Sequence, residues 1–347
     1  MFIGLLYVIL LLLLVAAFFE DENMRENRWI IIAFGLLFTL CAAFRPEGID
    51  KDYLSYLGYY YDPTSGMANL TEPSFMIICS IARFFGEPTM IFVIYALLAV
   101  PLKTYAITRI TPFWFMSLLI WFTHLYMIQD MTQIRVAVAA AIYLFAIPFL
   151  ADGKKLIFAG CVLFAIFFHY SALFLMPLCL FGNKPLTTTW KIVLAVLPVI
   201  FYAFPVFSID LLYLIPIPFI QDKIVVYEEI RDFGGMWAEL NIYNIMAIAR
   251  LLTYYMLLWK YDFVGQKCDF LALLLKIFCY SICVYAGMSF LPVISVRVQE
   301  LVGVIDFVAI PLLAMTVRPH WLGRTAVLIY AVGIFLADLY LYEYLKT

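Results

Sequence analysis

Residues 1–19, MFIGLLYVILLLLLVAAFF, carry no charge, no proline and a single glycine. A run of that length matches the roughly 20 apolar residues that a helix needs to cross bilayer hydrocarbon. It has no basic stretch ahead of it and no small-residue cleavage site behind it, so it reads as a permanent first span rather than a removable leader. Working outward, apolar segments recur at about 29–44, 73–102, 113–128, 135–151, 155–168, 171–183, 192–206, 242–259, 269–290, 298–316 and 325–343. In lipid every backbone polar group must find an internal partner, which leaves helices or a closed barrel. Barrel strands alternate polar and apolar residues, and these runs do not. The expectation is an all-α, polytopic membrane protein of about 12 transmembrane helices, forming one domain over 1–347, with outward loops that hold short helices.

Composition agrees. The chain has 347 residues, of which 66% are hydrophobic and 13% charged, and its mean hydropathy is +1.00. These values exclude an ordinary soluble domain. The seven cysteines form no CxxC pair and lie mostly within apolar segments, so they read as small packing residues. The three histidines (His124, His169 and His320) are scattered, and no cluster has metal-ligand spacing. Neither a metal nor another cofactor is expected, and nucleic acid is not an expected partner.

The charges sort between the runs. Arg25, Arg28, Lys103, Arg109, Lys154, Lys155, Lys184, Lys191, Lys260, Lys267, Arg318 and Arg324 fall on one side if both termini lie on the other. Short basic loops stay cytoplasmic, so the opposite loops at 45–71, 129–134, 207–241 and 291–297 face outward. That scheme requires 73–102, broken at Gly86-Glu87-Pro88, to cross once. It also requires 155–183 to cross twice, as two short spans meeting near His169 rather than one long one. Two of the outward loops are long and combine acids with aromatic rings: Asp50, Asp52, Tyr53, Tyr56, Tyr59, Tyr60 and Tyr61 in the first, and Asp210, Asp222, Lys223, Tyr227, Glu228, Glu229, Arg231, Asp232, Trp237 and Glu239 in the second. Rings stack on sugar faces and carboxylates accept from hydroxyls, so this mixture suits a carbohydrate. An interfacial aromatic belt accounts for about half of these rings without a ligand.

An ionisable group at a span costs roughly 2.5–3.5 kcal/mol to insert, so each one is a candidate for function. Arg45 ends the second run, Arg135 opens the fifth after Asp130 and Gln133, His169 sits in FFHYSALF, Arg250 lies within a late run, and Arg297 precedes Glu300. In the scheme above Arg45, Arg135, His169 and Arg297 share the outward level. A phosphate or diphosphate suits such a gathering, because the planar guanidinium makes bidentate bonds and keeps its charge. The competing reading is that each arginine snorkels to lipid phosphate or pairs with a nearby acid, as Arg297 with Glu300. For His169 it is a buried ring bonded to a neighbouring helix.

At these residues the chain resembles the EpsG family, which belongs with the Wzy-type O-antigen and capsular polysaccharide polymerases. The matching pieces, in order, are FRPEGIDKDYLSYLGYYY at 44–61, EPSF at 72–75, MTQIRVAVAAAI at 131–142 and FFHYSALF at 167–174. The likeness covers the first half, and beyond about Phe181 it rests on hydropathy and the Arg297 region. One departure is Val136, where the family often has glutamine after the helix-opening arginine. The resemblance implies a glycosyltransferase that polymerises oligosaccharide repeat units carried on undecaprenyl diphosphate, at the periplasmic face of a bacterial inner membrane. A flippase and a chain-length regulator are its implied partners. Arg45, Arg135 and Arg297 would steady the leaving diphosphate, and His169 would add a donor. Asp52, Glu72 and Asp50, in that order, are candidates for the base. Tyr53, Tyr56, Gln133, Arg250 and Glu300 would complete the substrate contacts. The rival readings are a flippase for lipid-linked sugars, which would carry its charges deep in the pathway, and a membrane sugar acyltransferase.

Overall fold

The computed structural model describes residues 1–21, 28–62, 72–207, 209, 221, 224–225, 228–229 and 240–346. Among these no β-strand forms, and Asp50 and Leu345 make one isolated bridge. The principal helices are α1 (Phe2–Phe18), α2 (Arg28–Ala43), α3 (Tyr53–Tyr61), α4 (Pro73–Phe85), α5 (Met90–Ile110), α6 (Trp114–Thr123), α7 (Ile134–Ala151), α8 (Lys155–Phe168), α9 (Thr188–Ala203), α10 (Ile245–Trp259), α11 (Leu271–Gly287), α12 (Pro292–Val302) and α13 (His320–Tyr340). A π-helix, Tyr126–Thr132, precedes α7, and a 3-10 helix, Tyr170–Leu180, follows α8. Length and composition alone single out five stretches able to cross a membrane: Met90–Ile110, Ile134–Ala151, Thr188–Phe207, Pro292–Met315 and His320–Tyr340. Further apolar helices of 10–17 residues accompany them, three of them ahead of Met90.

The chain forms two compact units, Met1–Cys179 with Asp306–Thr347, and Leu180–Ile305. In the first, α2 and α5 run antiparallel in tight contact. A Cβ on Gly35 would stand 3.0 Å from Thr104 Oγ1, so a larger residue there would have to push the Thr104 side chain aside. One turn of chain past Ala43, Arg45 lies over Phe92 near the start of α5, its guanidinium 4.1 Å from the ring centroid. At the other end of the pair, Arg28 and Arg109 line one groove. The two ends are about 25 Å apart at 1.5 Å per residue, close to the thickness of bilayer hydrocarbon, about 30 Å.

The remaining helices of this unit keep the same polarity. α5 and α7 are parallel, with Phe75 touching both Tyr95 (6.3 Å between rings) and the Arg135 guanidinium (5.5 Å), and with Tyr105 against Phe145 (6.2 Å). α8 returns to His169, where the α-helix ends and the 3-10 helix Tyr170–Leu180 begins. α4 stays beside α3, with Phe75 5.6 Å from Tyr56 and Arg83 5.8 Å over Tyr60, so only α5 leaves for the other end. α1 and α13 are antiparallel, tied by Tyr7–Tyr340 (2.8 Å between hydroxyls) at one end and by Arg324 donating to the Phe18 and Glu20 carbonyls at the other. One end of the unit therefore collects Arg28, Arg109, Lys154, Lys155 and Arg324. The other collects Arg45, Asp50, Glu72, Arg135 and His169.

One part of the charge sorting is corrected. Lys103 is not in a basic loop, and 129–134 is not an open outward one. Lys103 is fully buried inside α5 and donates to Asp130 Oδ2 (2.8 Å) and Gln129 Oε1 (3.1 Å), while Trp121 Nε1 donates to the same Asp130 oxygen at 2.9 Å. The π-helix that carries Gln129 and Asp130 is itself buried. Sorting by loop counts each lysine by its neighbours in sequence, whereas this one finds its counter-charge 27 residues away. Breaking such a pair leaves an uncompensated charge, and Lys103→Met should cost about 3–5 kcal/mol. Adding Asp130→Leu should restore most of the loss. Melting temperatures of the two variants in detergent distinguish this from a pair that contributes nothing.

In the second unit, Tyr254 and Tyr255 of α10 donate to the Leu194 and Ala195 carbonyls of α9 (2.7 and 2.9 Å), and Lys276 of α11 donates to the Gly182 carbonyl (2.6 Å).

Candidate functional site

The site is built at helix ends. α2 stops at Ala43, and Arg45 turns back on it, its Nη1 donating to the Ala42 carbonyl (2.7 Å) and its Nε to Asp50 Oδ2 (2.7 Å). Gly48, at φ +68°, makes the turn that returns Asp50 to Arg45, a conformation that L side chains rarely adopt. Asp50 Oδ1 accepts from the Asp52 amide (3.0 Å), which sets the start of α3. Residues after α13 hold this loop from behind: the Lys346 amide donates to the Ile49 carbonyl (2.7 Å), and Lys51 Nζ to the Tyr342 carbonyl (2.8 Å).

α3 presents Tyr53, Tyr56 and Tyr60 on one buried face, as helical spacing of three and four dictates. Tyr53 stacks on Phe92 at 4.4 Å, and Tyr56 meets Phe92 at 6.2 Å and Phe75 at 5.6 Å. The Arg135 guanidinium lies over both Phe75 (5.5 Å) and Tyr56 (6.0 Å). A continuous path of rings and cations thus runs Arg45, Phe92, Tyr56, Arg135. Burial beside these rings pushes the Tyr56 phenol up to about 12 against the pull of the Arg135 charge, so it stays a neutral donor.

Glu72 closes the cluster. It precedes Pro73, the first residue of α4, and is 4% exposed. Arg135 Nη1 donates to its Oε2. His169 Nδ1 lies 2.8 Å from its Oε1, and the Tyr170 amide donates to that oxygen at 3.5 Å. Burial alone would raise this carboxyl. The close His169 contact and the Arg135 charge outweigh it and hold Glu72 at about 2. With both oxygens committed, Glu72 is a poor proton acceptor and a firm anchor for Arg135 and His169. Asp50 is likewise committed to Arg45, whereas Asp52, half-buried at the start of α3, is the most open of the three carboxylates. Each arginine keeps capacity in reserve: Arg45 Nη2 and Arg135 Nε are buried with no hydrogen-bond partner. Gln133 is half-buried immediately before α7, its amide donating to the Ile128 carbonyl (2.8 Å).

The remaining sequence candidates belong to the second unit. Arg250 is buried in α10, its Nη2 donating to Ser281 Oγ (2.9 Å) and its guanidinium 5.4 Å from the Phe278 centroid. Arg297 is exposed on α12 and Glu300 is buried there. Of the acidic and aromatic residues expected between 207 and 241, Asp210, Asp222, Lys223, Tyr227, Arg231, Asp232, Trp237 and Glu239 lie outside the described residues, as do residues 63–71 of the first loop. Phe75 and Phe92, which join the two arginines, were not singled out in the sequence. An aromatic residue inside an apolar run gives no signal of its own there.

The model of the EpsG family matches residues 28–345, nearly the whole chain. No curated protein and no solved structure matches it.

Glu72→Gln should lower the melting temperature at pH 7, where the native carboxylate is ionised. A folded value of about 2 against an ordinary 4.5 means that this stabilisation is complete above pH 4.5 and lost as pH falls towards 2. The melting curves of parent and variant should therefore converge over that range. A gap that is constant with pH would assign the effect to shape rather than charge.

Proposed function

Because the chain belongs to the EpsG family, a Wzy-like polymerase-type family of polysaccharide biosynthesis, we propose that it joins oligosaccharide repeat units carried on undecaprenyl diphosphate. The reaction is placed at the periplasmic face of a bacterial inner membrane, in a chain that crosses about twelve times with both ends outside. The observation that carries this reading is the pair of buried guanidinium groups, Arg45 and Arg135, each steadied by one carboxylate and each with an unspent N–H donor. They stand at one level of the unit, where a lipid diphosphate would rest its head while its tail remained in the bilayer.

The hydroxyl oxygen of the acceptor unit bonds to the anomeric carbon of the growing chain, the bond from that carbon to the diphosphate oxygen breaks, and the hydroxyl proton passes to a carboxylate. Asp52 is assigned as that acceptor, since it is half-buried whereas Asp50 and Glu72 are buried. Charge developing on the leaving diphosphate is met by Arg45 and Arg135, with His169 as a further donor, which is stabilisation of the oxyanion-hole kind. The Tyr53 and Tyr56 face of α3 offers rings and a neutral phenol to the sugar. Arg297, Arg250 and Glu300 are candidates for the same substrate and belong in the same assay.

The test is a chain-length ladder. In a host that makes the cognate glycan, Arg45→Ala and Arg135→Ala should each reduce long chains by about 10²–10³ in rate. Arg→Lys should rescue little, because a point charge does not reproduce the fork. Persistence of long chains with both arginines replaced would remove the diphosphate clamp. Loss of unpolymerised single units as well would make the protein a flippase.

A further inference from the structure

The α2–α5 pair carries a second charged end. There a groove of about 620 Å³ opens along the outer side of the two helices, floored by Gly35 and Thr104 and bordered by Leu36, Leu40 and Leu97. Its walls are mostly apolar, the Thr39 and Thr104 hydroxyls being turned to the Gly35 and Val100 carbonyls, and its charge is confined to one mouth, where Arg28 and Arg109 stand with Trp114. Among the described residues neither arginine has a hydrogen bond or an ion pair. Glu20, an acid at this end of the unit, is buried and spent: its carboxylate accepts from the Trp114, Phe115 and Met116 amides at 2.5, 3.1 and 3.1 Å, capping the start of α6. Leu36, Leu40 and Leu97 are each half exposed or more, so the groove faces whatever surrounds the unit.

We infer that this groove holds one anionic phospholipid, its phosphate between Arg28 and Arg109 and an acyl chain laid towards Leu40. Three features commit the site to this occupant. First, two permanent positive charges, neither in an ion pair among the described residues, sit beside an interfacial tryptophan, the arrangement a phosphate-bearing headgroup completes. Second, the groove runs from Arg28 to Leu40, about 18 Å at 1.5 Å per residue, and the acyl layer of one leaflet is about 15 Å deep. Third, its charged mouth lies at the opposite end of α2 from Arg45, so a lipid whose diphosphate rested at Arg45 would bring the wrong end of its tail to Arg28. The occupant therefore comes from the other leaflet. It braces the close Gly35–Thr104 crossing that fixes where Arg45 meets Phe92.

The experiment is native mass spectrometry of the full-length protein, delipidated in detergent and titrated with phosphatidylglycerol or phosphatidylcholine. One phosphatidylglycerol per chain should be retained, at least tenfold tighter than phosphatidylcholine. The double variant Arg28→Ala, Arg109→Ala, which alters only exposed side chains, should remove that preference while leaving weak binding of both lipids. Leu97→Trp, which fills the groove, should remove retention altogether, with unchanged melting temperature as the control for folding. Equal retention of the two lipids, or a preference that survives the double variant, overturns the inference. So does displacement of phosphatidylglycerol by a polyprenyl phosphate at equal concentration, which would make the groove a substrate slot. A doubled mass that disappears in Leu97→Trp would overturn it too, by giving the groove to a second copy of the chain. None of these readouts uses the polymerase activity, so failure here and failure of the proposed reaction are separable.

Discussion

Glu72 ties three distant pieces of chain to one point. Its own helix α4 begins beside it, the first turn of α7 reaches it through Arg135, and the junction after α8 reaches it through His169 and the Tyr170 amide. A carboxylate that is 4% exposed is tolerable only because cations and donors surround it. That requirement in turn fixes the rotamer of Arg135 over Phe75 and Tyr56. The geometry of the site follows from this one neutralisation, since removing any of the partners leaves the others buried and unmatched.

The Arg45–Asp50 pair repeats the logic a short distance away, with Phe92 as the shared wall. Each guanidinium is paired once and stacked on rings, which holds its plane, and each retains a donor. The combination differs from an arginine that merely pairs off a stray acid, which would use its fork fully and need no aromatic wall. It also divides the carboxylates: Glu72 and Asp50 are buried and hold cations in place, and the half-buried Asp52 is the one proposed to take the proton.

Much of this was legible in the sequence for a physical reason. Charged groups at span ends are expensive, so Arg45, Arg135 and His169 stood out against an apolar background. The glutamate of EPSF stood out through the family resemblance. The tyrosines of α3 were visible by their spacing. Phe75 and Phe92 were not, because a ring among apolar residues carries no mark of what it faces. Lys103 was misplaced for the opposite reason: its charge was noticed but assigned by neighbours in sequence, and Asp130 answers it from another element. Arg297 gave the same kind of signal as Arg135 and lies on α12 of the second unit. A cost of insertion announces that a residue is unusual without saying which element it will meet.

The buried Lys103–Asp130 contact also constrains the order in which the protein is made. α5 leaves the ribosome before the π-helix exists, so its ammonium reaches the bilayer without the carboxylate that will neutralise it. Released alone, that helix would bear the full cost of a naked charge in hydrocarbon. That cost, roughly 2.5–3.5 kcal/mol for a lone charge in a span, is offset only once the π-helix brings Asp130 to 2.8 Å from Lys103 Nζ.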